Sequence, residues 1–213
     1  MAKLRLSITM SLDGYVAGPD QSLENPLGRE GIRLHDWAFA TRSFRAAHGM
    51  GDGGETGLDD DRVAAATANI GATIMGRNMF GPVRGPWGDE EWTGWWGDDP
   101  PYHTPVFVLT HHQRPSFTLA DTTFHFLDAT PADAWQRAAD AADGKDVRLG
   151  GGVATVREFL EANLVDTLHV AVAPVELGRG ERLWTSPEEL LDRFHLESVP
   201  SSSGVTHLLF WRR

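Results

Sequence analysis

Residues 3–12, KLRLSITMSL, place Leu4, Leu6, Ile8, Met10 and Leu12 on one face and Arg5, Ser7, Thr9 and Ser11 on the other. This alternation predicts a strand, because successive side chains on extended backbone point to opposite faces. Asp13-Gly14 is a turn-forming pair that ends it. Glycine, proline and asparagine punctuate 18–31 as loop. A helix is predicted over 32–47, with Ile32, Trp37, Phe39 and Phe44 as its apolar members. Residues 49–57 carry five glycines and read as a mobile loop. Asp59-Asp60-Asp61 ahead of an alanine-rich run opens a second helix ending near Ile70, since acids complement the positive end of a helix dipole.

Residues 72–75 read as a short buried strand running into Gly76-Arg77-Asn78. Segment 81–105 holds five prolines, five glycines and four of the eight tryptophans (Trp87, Trp92, Trp95, Trp96), and no regular element fits it. Residues 106–110 form a near-continuous apolar run, typical of a strand covered on both faces. Another strand is predicted over 123–127. Thr130-Pro131-Ala132-Asp133 combines an N-cap, a proline at the first helical position and an acid at the third, opening a helix to about Asp143. Then come a strand at 147–149, the turn Gly150-Gly151-Gly152, a helix over 153–164 and a buried strand over 168–175. Ser186-Pro187-Glu188-Glu189 reads as a capping box on a short helix. Residues 194–199 and 205–211 form a terminal hairpin. The alternation implies one α/β domain with a largely parallel sheet and an antiparallel edge.

The 213 residues are 41% hydrophobic and 23% charged, a globular balance that excludes a disordered tail, a collagen-like repeat and a coiled coil. No stretch approaches the ~20 apolar residues of a membrane span. The N-terminus has no continuous apolar core of the signal-peptide kind, and a cytoplasmic protein is expected. The chain contains no cysteine, which removes disulfides and thiolate catalysis. Its formal net charge of −11 makes nucleic acid a poor partner. A small anionic ligand is still compatible, because a local arginine or a helix N-terminus can hold a phosphate against that field.

Three predicted strand ends carry polar chemistry, and in α/β sheets ligands bind at the carboxyl ends of strands. Gly150-Gly151-Gly152 before a helix is either a tight turn or a backbone approach to pyrophosphate. Arg77, after Gly76, is either a surface ion-pair member or a phosphate ligand. Thr110-His111-His112-Gln113-Arg114 is a polar strand end, and its adjacent histidines point to opposite faces, which disfavours a shared zinc. Together the three point to a phosphate-rich ligand. His35, His103, His125, His169, His195 and His207 show no ligand spacing and read as structural.

Ser11-Leu12-Asp13-Gly14-Tyr15-Val16-Ala17-Gly18, Ile74-Met75-Gly76-Arg77-Asn78-Met79-Phe80, Val108-Leu109-Thr110 and Leu149-Gly150-Gly151-Gly152 occur in the order seen in dihydrofolate reductase-like proteins. The nearest branch is the reductase domain of the bifunctional riboflavin-biosynthesis deaminase-reductase, which Ala173-Pro174-Val175-Glu176-Leu177-Gly178-Arg179-Gly180 also resembles. The resemblance runs from Lys3 to Trp211 over a single domain, departing from it at about 18–70 and 81–105, where insertions would border the substrate. It implies a three-layer α/β fold, with a mixed, mostly parallel central sheet, helices on both faces and a C-terminal antiparallel hairpin.

The resemblance further implies NADPH as cofactor and hydride transfer to a small heterocyclic or carbonyl/imine substrate. The main chain around Thr9 and Met10, with Val16 and Ala17, would line the nicotinamide. Arg77 would pair with the 2′-phosphate, helped by Thr110 and His111, since a guanidinium fork suits phosphate oxygens. Gly76 and Asn78 would face Gly150, Gly151, Gly152, Val153, Ala154 and Thr155 across the pyrophosphate. The family's cis glycine pair would be Gly150-Gly151. Asp36, with Phe39 three residues on, resembles the proton-donating acid of the first helix, although an ordinary exposed acid explains it as well. Arg33, Arg84 and Arg179 are the candidates for a ribityl phosphate. A true dihydrofolate reductase and a non-catalytic nucleotide-binding or scaffold protein are the alternatives. Arg77 and the triple glycine weigh against the scaffold, as neither is needed to fold. The tryptophan segment is a lid, an anchor or a dimer contact, and a homodimer is expected.

Overall fold

The computed structural model describes residues 2–81, 85–88, 92–184 and 186–213, with Glu189 lacking a described side chain. In chain order the elements begin with β1 (Leu4–Ser11), β2 (Tyr15–Ala17) and a 3-10 turn (Gly31–His35). Helices α1 (Asp36–Phe39), α2 (Arg42–Ala47) and α3 (Leu58–Thr67) follow. Next come β3 (Ile70–Gly76), α4 (Arg77–Phe80), β4 (Val106–Leu109), β5 (Phe117–Leu119), β6 (Thr122–Leu127) and α5 (Pro131–Ala141). The chain continues through β7 (Asp146–Leu149), α6 (Val153–Glu161), β8 (Thr167–Ala173) and β9 (Glu181–Arg182). It closes with α7 (Glu188–Arg193), β10 (Phe194–Pro200) and β11 (Thr206–Arg212).

The chain divides into two compact units, one built from residues up to Arg5 with Asn69–Val165 and one from Leu6–Ala68 with Asp166–Arg213. Among the described residues the strand order is β7-β3-β4-β6-β5 in the first and β10-β11-β8-β1 in the second, with parallel and antiparallel pairing mixed in an α/β arrangement. Pairing is parallel through β7-β3-β4-β6. It is antiparallel at β5–β6 and through β10-β11-β8, so the predicted terminal hairpin is present.

The core of the first unit gathers Met75, Phe80, Trp87, Val106, Val108, Phe124 and Phe126, with Trp92 and Trp96 packed against it. Segment 81–105 contains no helix or strand among its described residues, and its tryptophans anchor it. Trp87 meets Phe126 edge-on at 5.2 Å, and Trp96 stacks on Phe124 at 6.0 Å. Trp92 Nε1 donates to the Phe80 carbonyl at 3.0 Å. In the second unit Leu34, Ala173 and Val175 form a core cluster.

Several elements depart from the sequence expectation. The helix foreseen over 32–47 is broken at Thr41, whose extended backbone makes it the N-cap of α2. Thr41 Oγ1 accepts from Phe44 N–H at 3.2 Å and donates to the Ala38 carbonyl at 2.7 Å, while Thr41 also bridges to Glu55 in the glycine loop. A hydroxyl that serves both sides of a break favours two short helices over one. Helix α3 stops short of Ile70 because Ala68 takes extended backbone, and Asn69 at φ 58° then turns the chain into β3. Leu12 leaves the apolar face of β1 and is 63% exposed, while Ser11 is fully buried and caps the following turn. Strand β5, too short for its pattern to register, pairs with β6. Pro187, not Ser186, occupies the N-cap of α7, although Ser186 Oγ still accepts from Glu188 N–H at 3.3 Å.

Candidate functional site

In the first unit the parallel register sets Gly76 opposite Leu109 and Ile74 opposite Leu149, so three polar strand ends lie side by side. Gly76 N–H donates to the Gly151 carbonyl and Gly150 N–H to the Ile74 carbonyl, both at 2.7 Å. These bonds carry the β3–β7 pairing two residues beyond the end of β7, to Gly151. The cis peptide accordingly falls at Gly151-Gly152, not at Gly150-Gly151.

The glycines here also answer to packing. A Cβ on Gly76 would collide with Thr155 Oγ1, and one on Gly150 would reach Met79 Sδ at 2.7 Å. One on Gly152 would meet Asn78 Cβ at 3.3 Å. The start of α4 and the start of α6 are therefore held together through glycine, as the expected grouping of Gly76 and Asn78 with Gly150–Thr155 requires. The premise that the triple glycine serves no folding purpose is corrected by the same contacts. Helix α6 begins on Gly152 with no side-chain cap, so the first-turn N–H groups of Val153, Ala154 and Thr155 have no intrahelical acceptor.

Arg77 opens α4 and its guanidinium lies 3.2 Å from the Trp87 ring centroid. Its Nη1 donates to Thr110 Oγ1 at 3.1 Å and its Nη2 to the Gly85 carbonyl at 3.1 Å. Trp87 is itself fixed by donation from Nε1 to the His112 carbonyl. The guanidinium thus sits on a rigid aromatic platform at the end of β3, beside the hydroxyl at the end of β4. His111 turns the other way and pairs through Nδ1 with Asp128 Oδ1 at 3.0 Å.

In the second unit Thr9, Met10, Val16 and Ala17 are all buried. Trp37 Nε1 donates to Thr9 Oγ1 at 3.3 Å. Asp36 is the first residue of α1 and is exposed. Asp13 accepts from Ser11 Oγ at 2.6 Å and from the N–H groups of Leu177 and Gly178 at 3.1 and 2.6 Å. Burial raises its pKa, but these hydrogen bonds outweigh that and hold the carboxyl below the usual carboxylate range. Asp13 is a turn clamp. Arg33 pairs with Glu30 at 3.3 Å and Arg179 with Asp20 at 4.0 Å, while Arg84 lies outside the described residues.

The sequence model of the RibD C-terminal domain matches residues 2–208. The chain belongs to the RibD C-terminal domain family. Membership supports a reductase-type function of the riboflavin pathway. A putative riboflavin biosynthesis protein from Shewanella sp. PV-4 shares the fold, with 22% identity, a TM-score of 0.61 and coverage of 100% of this chain and 99% of that one. A pyrimidine reductase-like protein from Corynebacterium diphtheriae is 16% identical with a TM-score of 0.54, covering 100% of this chain and 92% of that one. The diaminohydroxyphosphoribosylaminopyrimidine deaminase/5-amino-6-(5-phosphoribosylamino)uracil reductase of Thermotoga maritima is 13% identical with a TM-score of 0.55, and this RibD-type domain spans 57% of that longer chain. No curated protein matches. Among the described residues no helix is long and apolar enough to cross a membrane.

Sequence reading of this RibD-type domain missed a second polar group. His169 Nε2 and His207 Nδ1 lie 2.9 Å apart, with Ser7 Oγ 3.0 Å from His169 Nδ1 and Asp59 Oδ1 2.7 Å from His207 Nε2. The four residues come from β1, α3, β8 and β11, so no local spacing announces them. The one available signal was a polar residue in each of three apolar strands.

Proposed function

We propose that the protein is an NADPH-dependent reductase acting on a small heterocycle bearing a carbonyl or imine, of the kind 5-amino-6-(5-phosphoribosylamino)uracil presents. The observation that carries this reading is the packing of the Gly76-Arg77 strand end against the glycine-opened start of α6. The donor set fits a dinucleotide: a guanidinium, the hydroxyls of Thr110 and Thr155, the Asn78 amide and first-turn N–H groups, with no carboxylate among them. Arg77 and Thr110 bind the 2′-phosphate, while His111, paired to Asp128, contributes at most its imidazole edge. The start of α6, from Gly150 through Thr155, holds the pyrophosphate with its N–H dipoles. Thr9, Met10, Val16 and Ala17 supply a dry wall for the nicotinamide. The bound cofactor supplies hydride. Asp36 is the carboxylate that the family resemblance puts forward as proton donor. The functional partners are a small molecule and a second copy of the chain.

The deciding experiment is a titration with NADPH and NADH, followed by tryptophan quenching and energy transfer to the nicotinamide, on the wild type and Arg77→Ala. Saturable NADPH binding with a preference that Arg77→Ala abolishes is the expected result. Absence of binding by either nucleotide removes the reductase reading. Asp36→Asn is then compared in single-turnover hydride transfer, where an unchanged rate removes Asp36 as donor.

A further inference from the structure

The second unit contains an unbroken hydrogen-bonded chain of four titratable or hydroxyl side chains, Ser7–His169–His207–Asp59. Its closed end is sealed: His207 is fully buried and Asp59 nearly so. Its other end is not, because Ser7 and His169 are only half-buried. Trp37 of α1 stands edge-on to both imidazoles, with ring centroids 5.3 Å from His207 and 6.4 Å from His169. The same indole donates to Thr9 Oγ1 at 3.3 Å. Thr9 is two positions beyond Ser7 on β1, which puts the two on one face about 7 Å apart. The open end of the chain therefore lies beside a residue assigned above to the nicotinamide wall.

We propose that this chain, in place of the exposed Asp36 that the family resemblance puts forward, supplies the proton for the reduction, with Ser7 the group that touches substrate; the inference rests on the reductase reading. Reduction of a C=N or C=O bond adds hydride, from a nicotinamide, to carbon and a proton to nitrogen or oxygen. In the loaded chain His207 carries hydrogen on both nitrogens, Nε2–H donating to Asp59 and Nδ1–H to His169 Nε2. His169 Nδ1–H donates to Ser7 Oγ, and the Ser7 hydroxyl donates outward. When Ser7 gives its proton to the substrate it takes one from His169 Nδ1. His169 takes one on Nε2 from His207 Nδ1, and His207 is left neutral with Nε2–H still on Asp59. One proton leaves, each hydrogen bond reverses polarity except the last, and the carboxylate never changes state.

The surroundings keep charge off His169. Burial, the His207 charge and Arg62 of α3 lower His169 to about 3, so it passes a proton without storing one. Burial raises Asp59, but hydrogen bonds from Ser203, His207 and Ser201 outweigh it and keep it a carboxylate facing His207. The titratable and charged groups around the pair are thus Asp59 and Arg62 from α3, with Ser7, Ser201, Ser203 and Trp37 as the neutral neighbours.

Two measurements test the chain. The first needs no turnover: nitrogen-15 NMR of the histidine rings of the whole protein, from pH 9 to pH 5, in the wild type and Asp59→Asn. One proton gained by the His169–His207 pair in the wild type, and its loss from that range in Asp59→Asn, is expected. A pair that keeps one hydrogen on each ring throughout overturns the proposal. The second is single-turnover oxidation of NADPH by 5-amino-6-(5-phosphoribosylamino)uracil. Ser7→Ala and His207→Gln are expected to slow hydride transfer by roughly 100-fold with NADPH affinity held, while Ser7→Thr recovers most of the rate. The falling alkaline limb of the wild-type pH profile disappears in His207→Gln. A Ser7→Ala protein with wild-type rate and profile overturns the proposal. A wild type that binds no NADPH instead overturns the reductase reading, and the NMR outcome then decides the chain by itself.

Discussion

The guanidinium of Arg77 lies over the indole of Trp87, 3.2 Å from its centroid, while its two terminal nitrogens reach Thr110 and the Gly85 carbonyl. Stacking and the two donations together fix the plane of the fork, which is what bidentate phosphate recognition needs. Lysine keeps the charge but has neither the planar face nor the fork. Arg77→Lys is therefore expected to lower NADPH affinity by about tenfold or more, since a charge-assisted hydrogen bond contributes roughly 1.5–3 kcal/mol. NADH affinity stays as it was. Calorimetric titration of both nucleotides checks this, and equal losses for the two would refute the 2′-phosphate assignment.

Trp87 joins that platform to the core. Trp87→Ala should cost about 3–5 kcal/mol, the usual range for deleting a buried large aromatic. Trp87→Phe keeps the contacts with Phe80 and Phe126 but removes one of two donors to the His112 carbonyl, which retains the Thr110 hydroxyl at 3.2 Å, at about 0.5–1.5 kcal/mol. Urea unfolding of both variants gives the ordering, and a phenylalanine variant as weak as the alanine one would show that the hydrogen bond dominates.

Gly76 and Thr155 occupy one space. Gly76→Ala forces its new methyl onto Thr155 Oγ1, a buried side chain, and should destabilise by about 1–3 kcal/mol. Combining it with Thr155→Ala removes the colliding atom and should recover part of that loss. A double-mutant cycle measured by thermal melting reads the coupling, and strict additivity would mean that the two positions do not compete.

His35 carries a pH dependence of stability. Burial lowers its imidazole to about 4, against a smaller opposing influence from Asp36. The unfolded chain binds a proton near 6.5 and the folded chain only near 4. Between those values the unfolded state holds more protons, so stability falls as pH drops through this window, by about 3 kcal/mol in all, and is flat above it. His35→Gln should flatten the curve of unfolding free energy between pH 6.5 and 4. An undiminished slope in that variant would place the dependence elsewhere.

Much of the fold was legible because it is local. The alternation in β1, the apolar run of β4 and the Thr130-Pro131 start of α5 each express a period or a cap that neighbouring residues write out. The three polar strand ends were legible for the same reason, since glycine and arginine directly follow apolar runs. The break at Thr41 was not, because it depends on a hydroxyl shared with Ala38 and on Glu55 arriving from a distant loop.

The sequence by itself determined the α/β class, the family and the residues at the ends of β3, β4 and β7, all set by short-range pattern. Only the tertiary structure decided what those residues touch. It placed Trp87 beneath Arg77, turned His111 toward Asp128, and joined Ser7, Asp59, His169 and His207 into one chain. Partners separated by as many as 162 positions meet only when strands pair and helices cover them, and hydrogen bonds of about 3 Å have no counterpart in linear spacing.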